Sequence, residues 1–202
     1  MKHLQQHLDT LKKDVYSEPK FDWHETMMDL AFEQFIKPGG FKSALDVGFG
    51  TGYSLEKFRK LGIDPVGITL DNNELQCALL LKYDAHLMDM ADLDFDDKRF
   101  DLVWCRHSLE HSVMPMIALM EFHRVLSDKG YLYVEVPADN VAHIENANHY
   151  SMFSDGAWQG LFRKAGFKLY LRGQFCSGML NKQKLISFHD IYWQYWLRKE
   201  GD

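Results

Sequence analysis

No stretch of the sequence runs for about eighteen uncharged apolar residues, so no membrane-spanning helix is expected. Cysteine is scarce. Cys77, Cys105 and Cys176 are odd in number and far apart, which excludes a disulfide framework and suits a reducing compartment. The first twenty residues are polar and mixed in charge, so no secretory signal is expected and a cytoplasmic location is. There is also no basic stripe. Residues 1–100 carry 12 basic and 18 acidic side chains, residues 101–202 carry 11 of each, and the net charge is −6. A protein that tracks a phosphate backbone would show the opposite balance, so a nucleic-acid partner is disfavoured. Repeats and low-complexity tracts are absent too. What remains is a chain of 202 residues, 46% apolar and 14% aromatic, with enough material for one cored domain.

The apolar pattern divides the chain near residue 40. Before it, Leu4, Leu8 and Leu11 recur at helical spacing, and Ser17 and Pro19 mark a turn. Asp22 is placed to cap a second helix through Met27, Leu30, Ala31 and Phe35, which Pro38, Gly39 and Gly40 end. Residues 1–40 thus read as a helical cap or lid, and 41–202 as the main domain. There, strands are expected at Ser43–Val47, Pro65–Leu70, Ala85–Met88, Phe100–Cys105, Tyr131–Val136, Phe167–Leu171 and Ile191–Leu197. Helices follow most of them: one ending at Gly62, one capped by Asn72 or Asn73, one starting at Pro115, and one capped by Ser154 and closing at Gly166. Asp128, Lys129 and Gly130 read as the turn into the fifth strand. Strands alternating with helices predict an α/β, doubly wound, mostly parallel seven-stranded sheet with helices on both faces. Residues 138–153 and 173–190 read as irregular.

The strongest local signal is Asp46-Val47-Gly48-Phe49-Gly50-Thr51-Gly52, where the first strand turns into the first helix of the domain. Glycines there permit tight turns and close backbone approach to a ligand, and the helix start beyond offers N–H groups. A nicotinamide dinucleotide would call for G-x-G-x-x-G. Here the third glycine of that pattern is Tyr53, and Asp46 puts a carboxylate where a pyrophosphate would be repelled. A ligand with a cationic ammonium suits the turn better.

The segment ALDVGFGTG resembles the first motif of the class I S-adenosylmethionine methyltransferases, and the resemblance continues in order through VGITLDN, HLMDMADLDFDDKRFDLVW, HSLEHSVMP and RVLSDKGYLYVEVP. It is close over residues 41–137 and looser over 150–200. It implies a Rossmann-like fold with S-adenosylmethionine as cofactor. Gly48, Gly50 and Gly52 would pack along that cofactor, Asp46 would lie near its amino-acid end, and Phe49 and Thr51 would line the same turn. In the family an acidic residue at the end of the second strand holds the ribose hydroxyls. Here Thr69 takes that place, followed by Leu70 and Asp71, as in the GITLS variant of cyclopropane-synthase-like relatives. Asp71 is the first choice for the ribose, because a carboxylate accepts two hydrogen bonds and Thr69 offers one hydroxyl. Asp89 would meet the adenine amino group, with Met90 beside the ring.

Cys105, Arg106 and His107 end the fourth strand, at the edge where open α/β sheets bind ligands. Arg106 is therefore a candidate for cofactor contact and His107 for catalysis. His149 in the loop after the fifth strand is a second candidate base, with His143 and Tyr150 close in sequence, and Trp23 and His24 are candidates to close over the site. The Asn/Asp-Pro-Pro-aromatic and Pro-Cys motifs of base methylation are missing. His107-Ser108-Leu109-Glu110-His111 matches the H-x-x-E-H zinc-hydrolase pattern, which needs both histidines on one helix face. A helix is expected to begin only after them, and no metal ligand is assigned. The expected function is methyl transfer to a small or medium-sized soluble acceptor. The alternatives are a non-catalytic adenosyl-ligand-binding partner of the same fold and, less well supported, a nicotinamide oxidoreductase.

Overall fold

The structure is a computed structural model, and it describes residues 6, 10, 22–36, 39–176 and 191–200. Of the expected helix at Leu4–Leu11 only Gln6 and Thr10 are described, both helical; the turn at Ser17–Pro19 and most of the 173–190 stretch lie outside the described residues, as does the side chain of Trp23. Helix α1 spans Asp22–Ala31 and runs into a wider π-type turn at Phe32–Ile36. There follow β1 (Ser43–Val47), α2 (Tyr53–Lys60), β2 (Asp64–Thr69), α3 (Asn72–Leu80), β3 (Asp84–Leu87) and β4 (Phe100–Arg106). The chain continues through α4 (Pro115–Val125), β5 (Leu126–Pro137), a short α5 (Val141–Ile144), α6 (Asp155–Lys164), β6 (Phe167–Cys176) and β7 (Ile191–Lys199).

The seven strands form one sheet in the order β3-β2-β1-β4-β5-β7-β6. β1 to β5 run parallel, and β7 is antiparallel to both of its neighbours. This is the predicted architecture. Side chains alternate between faces along each strand, which divides the core in two. Leu45, Val47, Val103 and Cys105 face α4 and α6, where Leu119, Phe122, Trp158 and Phe162 are buried against them. Ala44, Leu102, Trp104 and Tyr133 face the other way, against Phe32 and Ile36 beyond α1 and Phe58 of α2. Trp104 stacks on Tyr133 with ring centroids 4.2 Å apart, and Phe32 meets the Trp104 edge at 5.1 Å. The described part of the predicted cap is therefore joined to the sheet by core packing.

Three expectations are corrected. The cap of α3 is Asp71, whose carboxylate accepts N–H bonds from Asn73 and Glu74; Asn72 and Asn73 lie inside the helix. β5 begins at Leu126, before the expected turn. Leu126 pairs with Phe100 and Tyr131 with Leu102, so residues 128–130 are absorbed as an irregularity within the strand. Residues 138–153, expected to be irregular, contain α5.

Candidate functional site

The carboxyl ends of β1, β2 and β4 meet at the glycine turn. Gly48, Gly50 and Gly52 hold φ angles of 73°, 54° and 82°, a region that side-chain-bearing residues avoid. The Gly48 N–H donates to the Ile68 carbonyl at 2.9 Å, tying the turn to β2. A Cβ at position 48 would fall 2.3 Å from Ser108 Oγ, and that hydroxyl in turn donates to the Val47 carbonyl at 2.8 Å. Around Gly50 the space is open: a Cβ there would meet Glu74 Oε1 at 4.0 Å and no other atom within that distance. Thr51 is exposed. Phe49 points away from this space. It is buried with Leu55, Ala78, Tyr83 and Ala85, and its ring presses so closely on Gly67 that a Cβ there would be 2.5 Å away. Its part in the turn is its backbone.

Asp46 is buried at the base of the turn and accepts a hydrogen bond from Ser54 in the first turn of α2. Burial pushes its carboxyl pKa up to about 7, although the Ser54 bond and the nearby Arg106 guanidinium favour the charged form. A ligand cation arriving here would tip the group to carboxylate.

At the end of β2 the polar side chains are tied into local hydrogen bonds. Asp71 Oδ1 is 2.6 Å from the Asn73 N–H, so its carboxylate is engaged in capping α3. Leu70 is exposed. Thr69 is buried and donates its hydroxyl to Glu74 Oε2 at 2.6 Å, while accepting the Asp71 N–H at 3.0 Å. Glu74, which sequence reasoning missed, thus puts one oxygen on Thr69 and the other toward the open space at Gly50. The signal was its position one helical turn into α3, directly after a strand end that already drew notice. Asp89 accepts the Ala91 N–H at 2.8 Å, shaping the loop beyond β3, and Met90 packs half-buried against the core.

Beyond β4 lies a buried polar network. Glu135 of β5 is fully buried, and Arg106 Nε lies 2.7 Å from its Oε1 as an ion pair without hydrogen-bond alignment. His107 Nε2 is 2.9 Å from the same oxygen. Tyr133 and Gln194 donate to Oε2 at 2.6 and 2.8 Å. Burial alone would raise the Glu135 pKa; the Arg106 charge and these hydrogen bonds hold it well below the usual carboxylate range. His107 has the opposite fate. Burial, reinforced by Arg106, lowers its pKa to about 4 against the pull of Glu135, so the ring is neutral at physiological pH. Its φ is 51°, and its ring lies 4.6 Å from Tyr192 and 5.4 Å from His24, centroid to centroid. His24 is likewise held neutral by burial, with its pKa lowered to about 3.

Cys105 does not join this edge. It is buried in the core below α4, and burial raises its thiol pKa far above the ordinary value. The H-x-x-E-H pattern does not lie on one helix: residues 109–111 form a single 3-10 turn. His149 belongs to a neighbouring group with His111 and His143, at ring-centroid distances of 5.1 and 6.1 Å. Tyr150 is exposed.

A glycine turn after β1, five parallel strands and an antiparallel β7 inserted beside β5 define the class I, Rossmann-like methyltransferase fold. The segment 45–134 matches the family model described as a methyltransferase domain. Among curated relatives, the chloroplastic tocopherol O-methyltransferase of Arabidopsis thaliana is 33% identical over 102 residues. That stretch is 46% of this chain and spans 29% of the relative's length. Among solved structures, a SAM-dependent methyltransferase from Archaeoglobus fulgidus superposes with a TM-score of 0.69 at 16% identity, covering 87% of this chain and 94% of that one. The [4+2]-cyclase SpnF superposes at 0.73 with 21% identity, covering 94% and 86%. The fold thus extends to a protein described by another reaction, so function must be argued from the site.

Proposed function

We propose that the protein transfers the methyl group of S-adenosylmethionine to a small or medium-sized soluble acceptor by in-line displacement. The observation that carries this reading is the turn at Gly48, Gly50 and Gly52, with open space over Gly50, Glu74 beside it and the buried Asp46 carboxyl at the end of β1. Asp46 would favour the amino-acid end with its ammonium. The Thr69–Glu74 pair would hold the ribose hydroxyls, and Asp89 with Met90 would border the adenine. A carboxylate oxygen that already accepts from Thr69 has capacity for a ribose hydroxyl.

The sulfonium itself makes the methyl electrophilic, so the protein's task is alignment and exclusion of water. His107, neutral and fixed by Glu135, is our candidate to receive a proton from a hydroxyl acceptor. Among the described residues no helix is long and apolar enough to cross a membrane. The test is incubation of the full chain with methyl-labelled S-adenosylmethionine and a panel of small hydroxyl and amine acceptors, following label and S-adenosylhomocysteine together. Equal production of both supports methyl transfer. Tight cofactor binding without product across the panel favours the binding-partner alternative.

A further inference from the structure

We propose that Glu110, His111 and His149 form a binding site for one divalent transition-metal ion of the Zn2+ type. One ligand atom from each of the three lies within 4.8 Å of the others. Glu110 and His111 follow β4, and His149 follows β5, so the cluster sits at the carboxyl ends of two adjacent parallel strands, where such sheets bind ligands. Two histidines and one carboxylate are the donor set of catalytic zinc sites and of open three-ligand metal sites generally.

Two further features support the assignment. First, each imidazole is oriented as a metal ligand is. His111 Nδ1 lies 2.8 Å from the Asn148 carbonyl and His149 Nδ1 lies 2.8 Å from the His143 carbonyl. A neutral ring that donates from Nδ1 carries its lone pair on Nε2, and this bond to a backbone carbonyl is the usual outer support of a metal-bound histidine. Second, the Ser151 N–H donates to the Glu110 carbonyl and the Ser151 hydroxyl to the Ser112 carbonyl, so the loop carrying His149 is stitched to the turn carrying Glu110. Asn146 Nδ2, 3.2 Å from His149 Nε2, would give way to the ion. Donors 2.0–2.2 Å from one ion lie about 3.4 Å apart, so closure needs side-chain shifts of about an ångström.

Three protein ligands leave a coordination position open. Resting on the methyl-transfer reading, that position would take an oxygen of the acceptor, lower its pKa and select hydroxyl-bearing acceptors over amines.

The test uses the full chain, stripped with a chelator and titrated with Zn2+, and with Co2+ as the coloured probe. We expect one equivalent bound and a visible Co2+ absorption band. Glu110→Gln and His149→Ala should each weaken binding by at least the roughly 10–100-fold that loss of an outer partner costs. Circular dichroism checks their folding, and His149→Ala, in a half-buried loop, serves if Glu110→Gln fails to fold. No binding to the wild type, or equal affinity in wild type and both variants, would overturn the site. Metal bound without S-adenosylmethionine binding would leave the site standing and remove the cofactor reading instead.

Discussion

The ligand edge of the sheet is built by two unlike methods. Its β1–β2 half is made of near neighbours: Asp46 to Ser54 close the glycine turn, and Thr69 to Glu74 close the next strand end. Its chemistry comes from backbone shape and a few local hydrogen bonds. The β4–β5–β7 half gathers Arg106, His107, Tyr133, Glu135 and Gln194 from three strands around one buried carboxylate, with the Glu135–Gln194 contact spanning 59 residues. Its chemistry exists only after the sheet has formed. On the proposed reading the first half can lose ligand binding while the fold survives, whereas the second ties β4, β5 and β7 together.

Substitutions that pull the halves apart test this contrast. The largest effect is expected from Glu135→Ala, which leaves Arg106 buried without its counter-charge and should cost about 3–5 kcal/mol in chemical denaturation. Glu135→Gln keeps the shape and should cost less. Next is Gly50→Val, which fills the space over the turn. It should weaken S-adenosylmethionine binding by about 100-fold, or ~3 kcal/mol, while the strain at φ 54° costs the fold only about 1–2 kcal/mol. Glu74→Ala should weaken cofactor binding by about 1–3 kcal/mol. Asp71→Ala should instead lower stability by about 1 kcal/mol through its lost cap and leave affinity nearly unchanged. A binding defect in Asp71→Ala alone would reverse the assignment.

The smallest effect is a pH dependence of affinity. Free Asp46 is protonated below about pH 7, and a bound ammonium favours its carboxylate, so binding releases a proton in that range. Affinity should rise with pH by up to about tenfold per unit and level off above about 7. Asp46→Asn should flatten the profile.

The same contrast governs what the sequence could tell. The span Ser43–Val47 was read with its observed bounds because a short apolar run stops at a glycine turn, and both signals are local. The Asp128–Gly130 turn was also a true local signal, but pairing of Leu126 with Phe100 carries the strand past it. Around residue 71, the resemblance pointed to Asp71, whereas the structure has Asp71 capping α3 and Glu74 paired with Thr69. Choosing between Asp71 and Glu74 requires knowing where α3 begins and hence which side chain is already capping. Phe49 sits between two glycines of the turn in sequence, yet the alternation of direction along the turn sends its ring to the core. Glu135 carried no signal at all: one acidic residue in an apolar strand becomes meaningful once Arg106 is opposite it. The cluster of Glu110, His111 and His149 was hidden in the same way, since a helical reading of H-x-x-E-H pairs His107 with His111 and leaves His149 out.

The most direct test of the central claim is calorimetric titration of the full chain with S-adenosylmethionine and, separately, with NADH. The account predicts binding of the first in the micromolar range, near −8 kcal/mol, and none of the second. Binding of NADH in its place, or of neither ligand, would contradict the reading of the glycine turn from which the rest follows.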